Sequence, residues 1–174
     1  MGRKVYRHKK SFGRVGPTVL RVYEGLSVSC IRGKTYNEVS IGDTFGSAVT
    51  VTETHLVVAA GLFGDFNPLH VDESYASRTR FGGRILHGAC TSALMSAPIG
   101  MYFHATAIAY LEHNCRFLLP VRPGDTLTST WKITDKIAKP RLGAGIVVLS
   151  GECRNQHGDL VAQADGKVLV SMAR

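Results

Sequence analysis

Along the chain, apolar and polar positions fall into two textures. Between Thr50 and Gly64 the apolar residues Leu56, Val57, Ala59, Ala60 and Phe63 recur at helical spacing. Thr50-Val-Thr-Glu53 has the spacing of a capping box, which predicts a helix starting there and ending at Gly64. Leu86 to about Gly100 mixes Leu, Ala, Cys, Met and Ile with Gly, Ser and Thr, so it is apolar or small nearly all round. That composition predicts a helix buried on most sides. Thr106–Leu119, Thr126–Ile137, Ala144–Arg154 and Leu160–Met172 are β-branched runs, separated at Pro123-Gly124-Asp125 and Gln156–Asp159 by turn residues. A shorter strand is predicted over Phe45–Val51 and a short helix over Glu73–Arg78. One long helix followed by an antiparallel meander is an α+β pattern in which the sheet wraps the helix.

Length and charge refine this picture. The 174 residues suffice for one globular domain plus an extension, and 44% hydrophobic with 20% charged residues suits a soluble core. The net charge of +8 is unevenly placed. Residues 1–34 hold nine Lys and Arg against Glu24 alone, and residues 35–174 hold twelve of each sign. The expected organisation is therefore a basic arm, 1–34, ahead of a balanced domain, 35–174. A solvated extension, an organelle-targeting segment and a phosphate-binding arm are all open readings of it. No apolar stretch reaches the roughly 18 residues that span a bilayer. Cys30, Cys90, Cys115 and Cys153 have no metal-ligand spacing, so no metal and no disulfide framework is expected.

Asp65-Phe-Asn-Pro-Leu-His70 is the segment where chemistry concentrates. On a continuous helix, positions five apart lie about 140° apart, too far round to act together. Pro68 pushes Asn67 out of helical geometry, and the resulting turn lets Asp65 and His70 face one cleft. A carboxylate beside an imidazole can hold and move a proton near neutral pH. Read on its own, the same string is also a common structural turn. His87-Gly88 opens the buried helix, where amide groups are unpaired and the dipole is positive. Gly88 has no side chain to keep a carbonyl oxygen from those donors, although close packing is the alternative reason for a glycine there.

Gly64-Asp-Phe-Asn-Pro-Leu-His-Val-Asp72, then Tyr75-Ala76, Thr79, Phe81-Gly82 and Ile85-Leu86-His87-Gly88, resembles the signature of the MaoC-like (R)-specific enoyl-CoA hydratases. Phe117-Leu-Leu-Pro-Val121 with Gly124-Asp125 is similar to that family's strand and turn after the central helix. The resemblance implies a hot-dog fold that dimerises by joining two sheets. It implies Asp65 and His70 as the catalytic pair, Gly88 as the carbonyl-binding amide, Asn67 as a support of the turn and Ser96 as a pocket serine. Ala89 stands where Met is common, and the basic arm is atypical.

The expected activity is (R)-specific hydration of trans-2-enoyl-CoA, or its reversal, with acyl-CoA as substrate and no cofactor. Arg78, Arg80 and Arg84 are candidate contacts for the CoA phosphates. Dehydration of 3-hydroxyacyl groups on acyl carrier protein, thioester hydrolysis and non-catalytic acyl-CoA or RNA binding are the rival readings. A homodimer or dimer of dimers is expected, with nucleic acid and membrane not expected as partners. The expected compartment is the cytoplasm, with the mitochondrion as the alternative. His55, His104 and His113 are expected to pack or hydrogen-bond, and Trp131 and Tyr110 to lie in core or interface.

Overall fold

The computed structural model describes residues 32–172. Most of the basic arm, 1–34, lies outside that range. Its last residues do not: the Gly33 and Lys34 amides donate to the His104 and Tyr102 carbonyls at 2.8 and 2.9 Å.

Five strands form one antiparallel sheet: β1 (Thr44–Thr50), β2 (Ala107–Phe117), β3 (Thr126–Lys139), β4 (Ala144–Arg154) and β5 (Leu160–Ser171). They are ordered β1-β3-β4-β5-β2. Four helices precede β2: α1 (Glu53–Phe63), α2 (Pro68–Val71), α3 (Glu73–Ala76) and α4 (Gly88–Tyr102). The sheet curls around α4, giving the α+β hot-dog architecture expected of the sequence.

The core lies between α4 and the inner faces of β3, β4 and β5. Alternation along β3 buries Leu127, Ser129, Trp131 and Ile133, and β4 buries Val147, Leu149, Gly151 and Cys153 in the same way. Trp131 is fully buried, and its Nε1–H donates to the Met95 carbonyl on α4 at 2.8 Å. Gly151 makes room for it, because a Cβ there would stand 2.6 Å from the indole. One aromatic ring thus sets where the helix sits on the sheet, and therefore where the helix start is held.

Two expectations are corrected. Helix α1 is capped at Thr52 and not at Thr50, with Glu53 as its first helical residue. The reciprocal partner is His55, whose Nδ1 accepts from the Thr52 N–H at 3.0 Å. An imidazole fills the role the sequence assigned to a carboxylate, and this is the hydrogen bond that occupies His55. Helix α4 is not buried on most sides either. Ala89, Ala93, Ala97 and Gly100 form an exposed stripe along it, while Thr91, Met95, Pro98 and Ile99 face the core. Small residues hide that amphipathicity from a composition-based reading, because their exposure costs little.

Elsewhere the boundaries shift by a residue or two. Gly64 ends α1 in the left-handed region at φ 70°, where glycine is unstrained. Pro68 both breaks α1's register and starts α2, since a missing N–H costs nothing at a first helical position. None of the described helices is long and apolar enough to cross a membrane.

Candidate active site

Local side-chain bonds build the site segment. Asp65 Oδ1 accepts from the Asn67 N–H at 3.1 Å, and Asn67 Oδ1 accepts from the Leu69 N–H at 3.1 Å. Asn67 thereby caps α2, which carries His70, and Asp72 caps α3 by accepting from the Tyr75 N–H at 2.9 Å. The Ile85 amide donates to the Leu69 carbonyl, fixing the loop that leads into α4 against α2.

This framework brings Asp65 and His70 together. His70 Nε2 stands 3.9 Å from Asp65 Oδ2, with the carboxylate half exposed and the imidazole largely covered. His70 Nδ1 lies 2.7 Å from the Ile85 carbonyl oxygen. A carbonyl only accepts, so Nδ1 carries the proton and Nε2 turns a lone pair toward the carboxylate. The separation is too long for a direct hydrogen bond and short enough for both groups to hold one water.

His70 opens on a cleft of about 300 Å³ that is also lined by Arg80, Phe81, Leu86, Gly88, Thr91 and Phe117. Gly88 is the first residue of α4, and no acceptor takes its N–H among the described residues. A Cβ on Gly88 would come within 3.1 Å of the Phe117 ring. Phe117 therefore closes the space a larger residue would need, and a narrow approach to the amide is left. His70 and Gly88 share this cleft, and Asp65 is joined to it through its 3.9 Å approach to His70.

The other two expected residues do not join them. Ser96 lies eight residues along α4 from Gly88, about 12 Å at helical rise. Its hydroxyl donates to the Ala93 carbonyl at 2.8 Å, and it lines a different cleft with Ile99, Ala107 and Tyr110. Arg84 is held by Glu53 at 2.8 Å and Glu73 at 3.0 Å. The Glu73 hydrogen bond, and then Glu53's, raise its pKa above the ordinary guanidinium value. It ties α1 and α3 to the loop entering α4. Arg80 is the arginine at the cleft, stacked over Phe81 with its guanidinium 4.9 Å from the ring centre.

A residue given no role from the sequence lies at the centre of the site. His87 is 2% exposed, its ring stacks on His70 with centroids 3.7 Å apart, and its Nε2 lies 2.8 Å from the Asp65 carbonyl oxygen. Its place beside Gly88 was the available signal. Asp65, His70 and His87 also have ligand-type atoms within 4.8 Å of one another. His70 Nδ1 and His87 Nε2 already face carbonyls, which leaves each ring one nitrogen without a hydrogen-bond partner among the described residues. The donor set fits proton handling better than a metal shell.

Residues 37–150 match the family model described as a MaoC like domain. The chain is 33% identical over 125 residues to an (R)-specific enoyl-CoA hydratase of Rhodospirillum rubrum, covering 67% of this chain and 87% of that one. It is 31% identical to a 3-hydroxybutyryl-CoA dehydratase of Methylorubrum extorquens, over 80% and 84% of the two chains. Among solved structures it is similar to the unliganded R-hydratase PhaJ1 of Pseudomonas aeruginosa, with a TM-score of 0.73, 30% identity and coverage of 80% and 86%. The five-stranded antiparallel sheet wrapped on its long helix agrees with these matches, and the chain belongs to the MaoC-like domain family.

Proposed function

We propose that this protein is a hydro-lyase that adds water across the C2–C3 double bond of trans-2-enoyl thioesters and catalyses the reverse dehydration, with Asp65 and His70 as the acid–base pair. The observation that carries the reading is His70 Nε2 facing the Asp65 carboxylate 3.9 Å away, with His70 lining the same cleft as Gly88.

One water sits between the two groups, one of its hydrogens on Asp65 and the other toward His70 Nε2. As the water oxygen bonds to C3, His70 takes a proton and the double-bond electrons move toward the thioester carbonyl. The Gly88 amide, at the positive end of α4, donates to the oxygen that becomes negative. The imidazolium then returns its proton to C2 on the same face, so the sum is enoyl thioester plus water giving 3-hydroxyacyl thioester. The product in this reading is the (R) isomer, as the names of the Rhodospirillum rubrum and Aeromonas caviae hydratases have it for those proteins.

The carrier is coenzyme A in this reading, because the Rhodospirillum rubrum and Methylorubrum extorquens relatives are named for CoA thioesters, and Arg80 at the cleft offers a cation to a phosphate. A relative from Arabidopsis thaliana, 26% identical over 78% of each chain, is named for dehydration on acyl carrier protein, and that carrier is the alternative. The protein works as a dimer in which β2, one of the two edge strands, pairs with its copy. Ile108, Tyr110 and Leu111 on that strand are exposed, and α4 shows its small-residue stripe on one side.

Hydration of crotonyl-CoA, followed by loss of enoyl absorbance with chiral analysis of the product, tests the assignment. Asp65→Asn and His70→Ala are each expected to lose about 10²–10⁴-fold in kcat. Near-normal turnover in either variant overturns it, and release of free thiol indicates hydrolysis instead. Competition between CoA and carrier-protein thioesters decides the carrier.

A further inference from the structure

We propose that His87 is a positioning residue that fixes both members of the acid–base pair, an inference that rests on the hydration reading above. Its single ring touches three parts of the site. It donates from Nε2 to the Asp65 carbonyl, stacks on the His70 ring, and as N-cap residue stands directly before Gly88. The carboxylate comes from the turn after α1, the imidazole from α2 and the amide from α4, so the local turn that pairs Asp65 with His70 does not by itself set their distance from the Gly88 amide. His87 spans 22 residues to reach Asp65.

The details of the ring agree with this role. Because a carbonyl accepts, Nε2 carries the proton of His87 and Nδ1 is bare. That Nδ1 is buried with no hydrogen-bond partner among the described residues. A buried polar atom without a partner costs stability, and a purely apolar ring would avoid the cost. Phe63 packs edge-on against His87 with centroids 5.9 Å apart, so the surroundings would accept such a ring. What an apolar ring would lose is the donor to Asp65. Burial, at 2% exposure, also keeps His87 from the reacting atoms.

The turn before Asn67 would shift without this bond, and a displacement of about 1 Å in a catalytic group costs on the order of 10²-fold. His87→Phe keeps a flat ring against His70 and removes the donor, whereas His87→Gln keeps an N–H donor of similar reach. The Phe variant is expected to lose about 100-fold in kcat on crotonyl-CoA with KM within about threefold, and the Gln variant to stay within about tenfold of wild type. A folded Phe variant with kcat within about threefold of wild type overturns the proposal, as does a Gln variant as impaired as the Phe variant.

Nitrogen NMR of the wild-type imidazoles is the second arm and needs neither substrate nor a folded variant. Protonated Nε2 with bare Nδ1 at His87, and the reverse at His70, is the expected pattern. The opposite tautomer at His87 removes the donor and sinks the proposal. Failure of the hydration reading is recognised separately, as a wild-type protein that turns over no enoyl thioester while the ring-nitrogen pattern still decides the His87 arrangement.

Discussion

The β3–β4–β5 sheet and the segment from Gly64 to Gly88 are built by different forces. The sheet is held by continuous ladders and by aliphatic side chains around Trp131, all removed from water. The site segment has two one-turn helices, exposed Phe66 and Val71, and a set of side-chain-to-backbone bonds through Asp65, Asn67, His70, Asp72 and His87. Burial is cooperative and insensitive to small angular errors, whereas hydrogen bonds of this kind set direction at modest net gain. The sheet thus supplies stability, and the segment spends it on geometry.

Substitutions should separate the two regions. Trp131→Ala removes the largest fully buried side chain and its bond to Met95. It is expected to cost about 3–5 kcal/mol of unfolding free energy in denaturant titration. Gly88→Ala should do the opposite. A methyl group pressed toward Phe117 obstructs the amide, so kcat/KM is expected to fall by about 10²-fold while the melting temperature barely moves. Equal loss of stability in both variants would erase the distinction.

Smaller effects sharpen it. Asn67→Ala removes the cap of α2 and should cost about 1 kcal/mol locally, read as faster amide exchange around His70 and a lower kcat. The smallest effect lies at His113, which bonds Tyr110 and sits beside Trp131. Burial lowers its pKa from the ordinary imidazole value, and burial raises Tyr110 to about 12. The folded state therefore resists protonating His113. Its contribution is complete above about pH 6.5 and declines as pH falls below that, because the unfolded chain takes up the proton first. Thermal melts between pH 7.5 and 5 should show this decline, and His113→Asn should flatten it.

Much of this was legible along the chain. The strands follow from β-branched alternation, and α1 ends where Gly64 permits a left-handed residue. The Asp65–His70 turn is written into six consecutive residues, because Pro68 acts on its immediate neighbours. Other features depended on residues far apart in sequence. Thr52 and Thr50 are both possible caps, and the position of β1 against β3 accompanies a cap at Thr52 with His55 as its partner. Arg84 looked free for a phosphate until Glu53, 31 residues away, came within 2.8 Å. Ser96 shares α4 with Gly88, yet the helix turns it toward another cleft.

By itself, then, the sequence determined the elements and the local turn that pairs a carboxylate with an imidazole, since each depends on contacts a few residues long, and the order of the elements pointed to the wrapped-helix plan. The tertiary structure alone decided which nitrogen of His70 faces the cleft, that Arg84 is engaged by two carboxylates, and that His87 stacks beneath the pair. Those are matters of direction between distant segments, and only packing α4 against the sheet brings the segments to hydrogen-bonding distance.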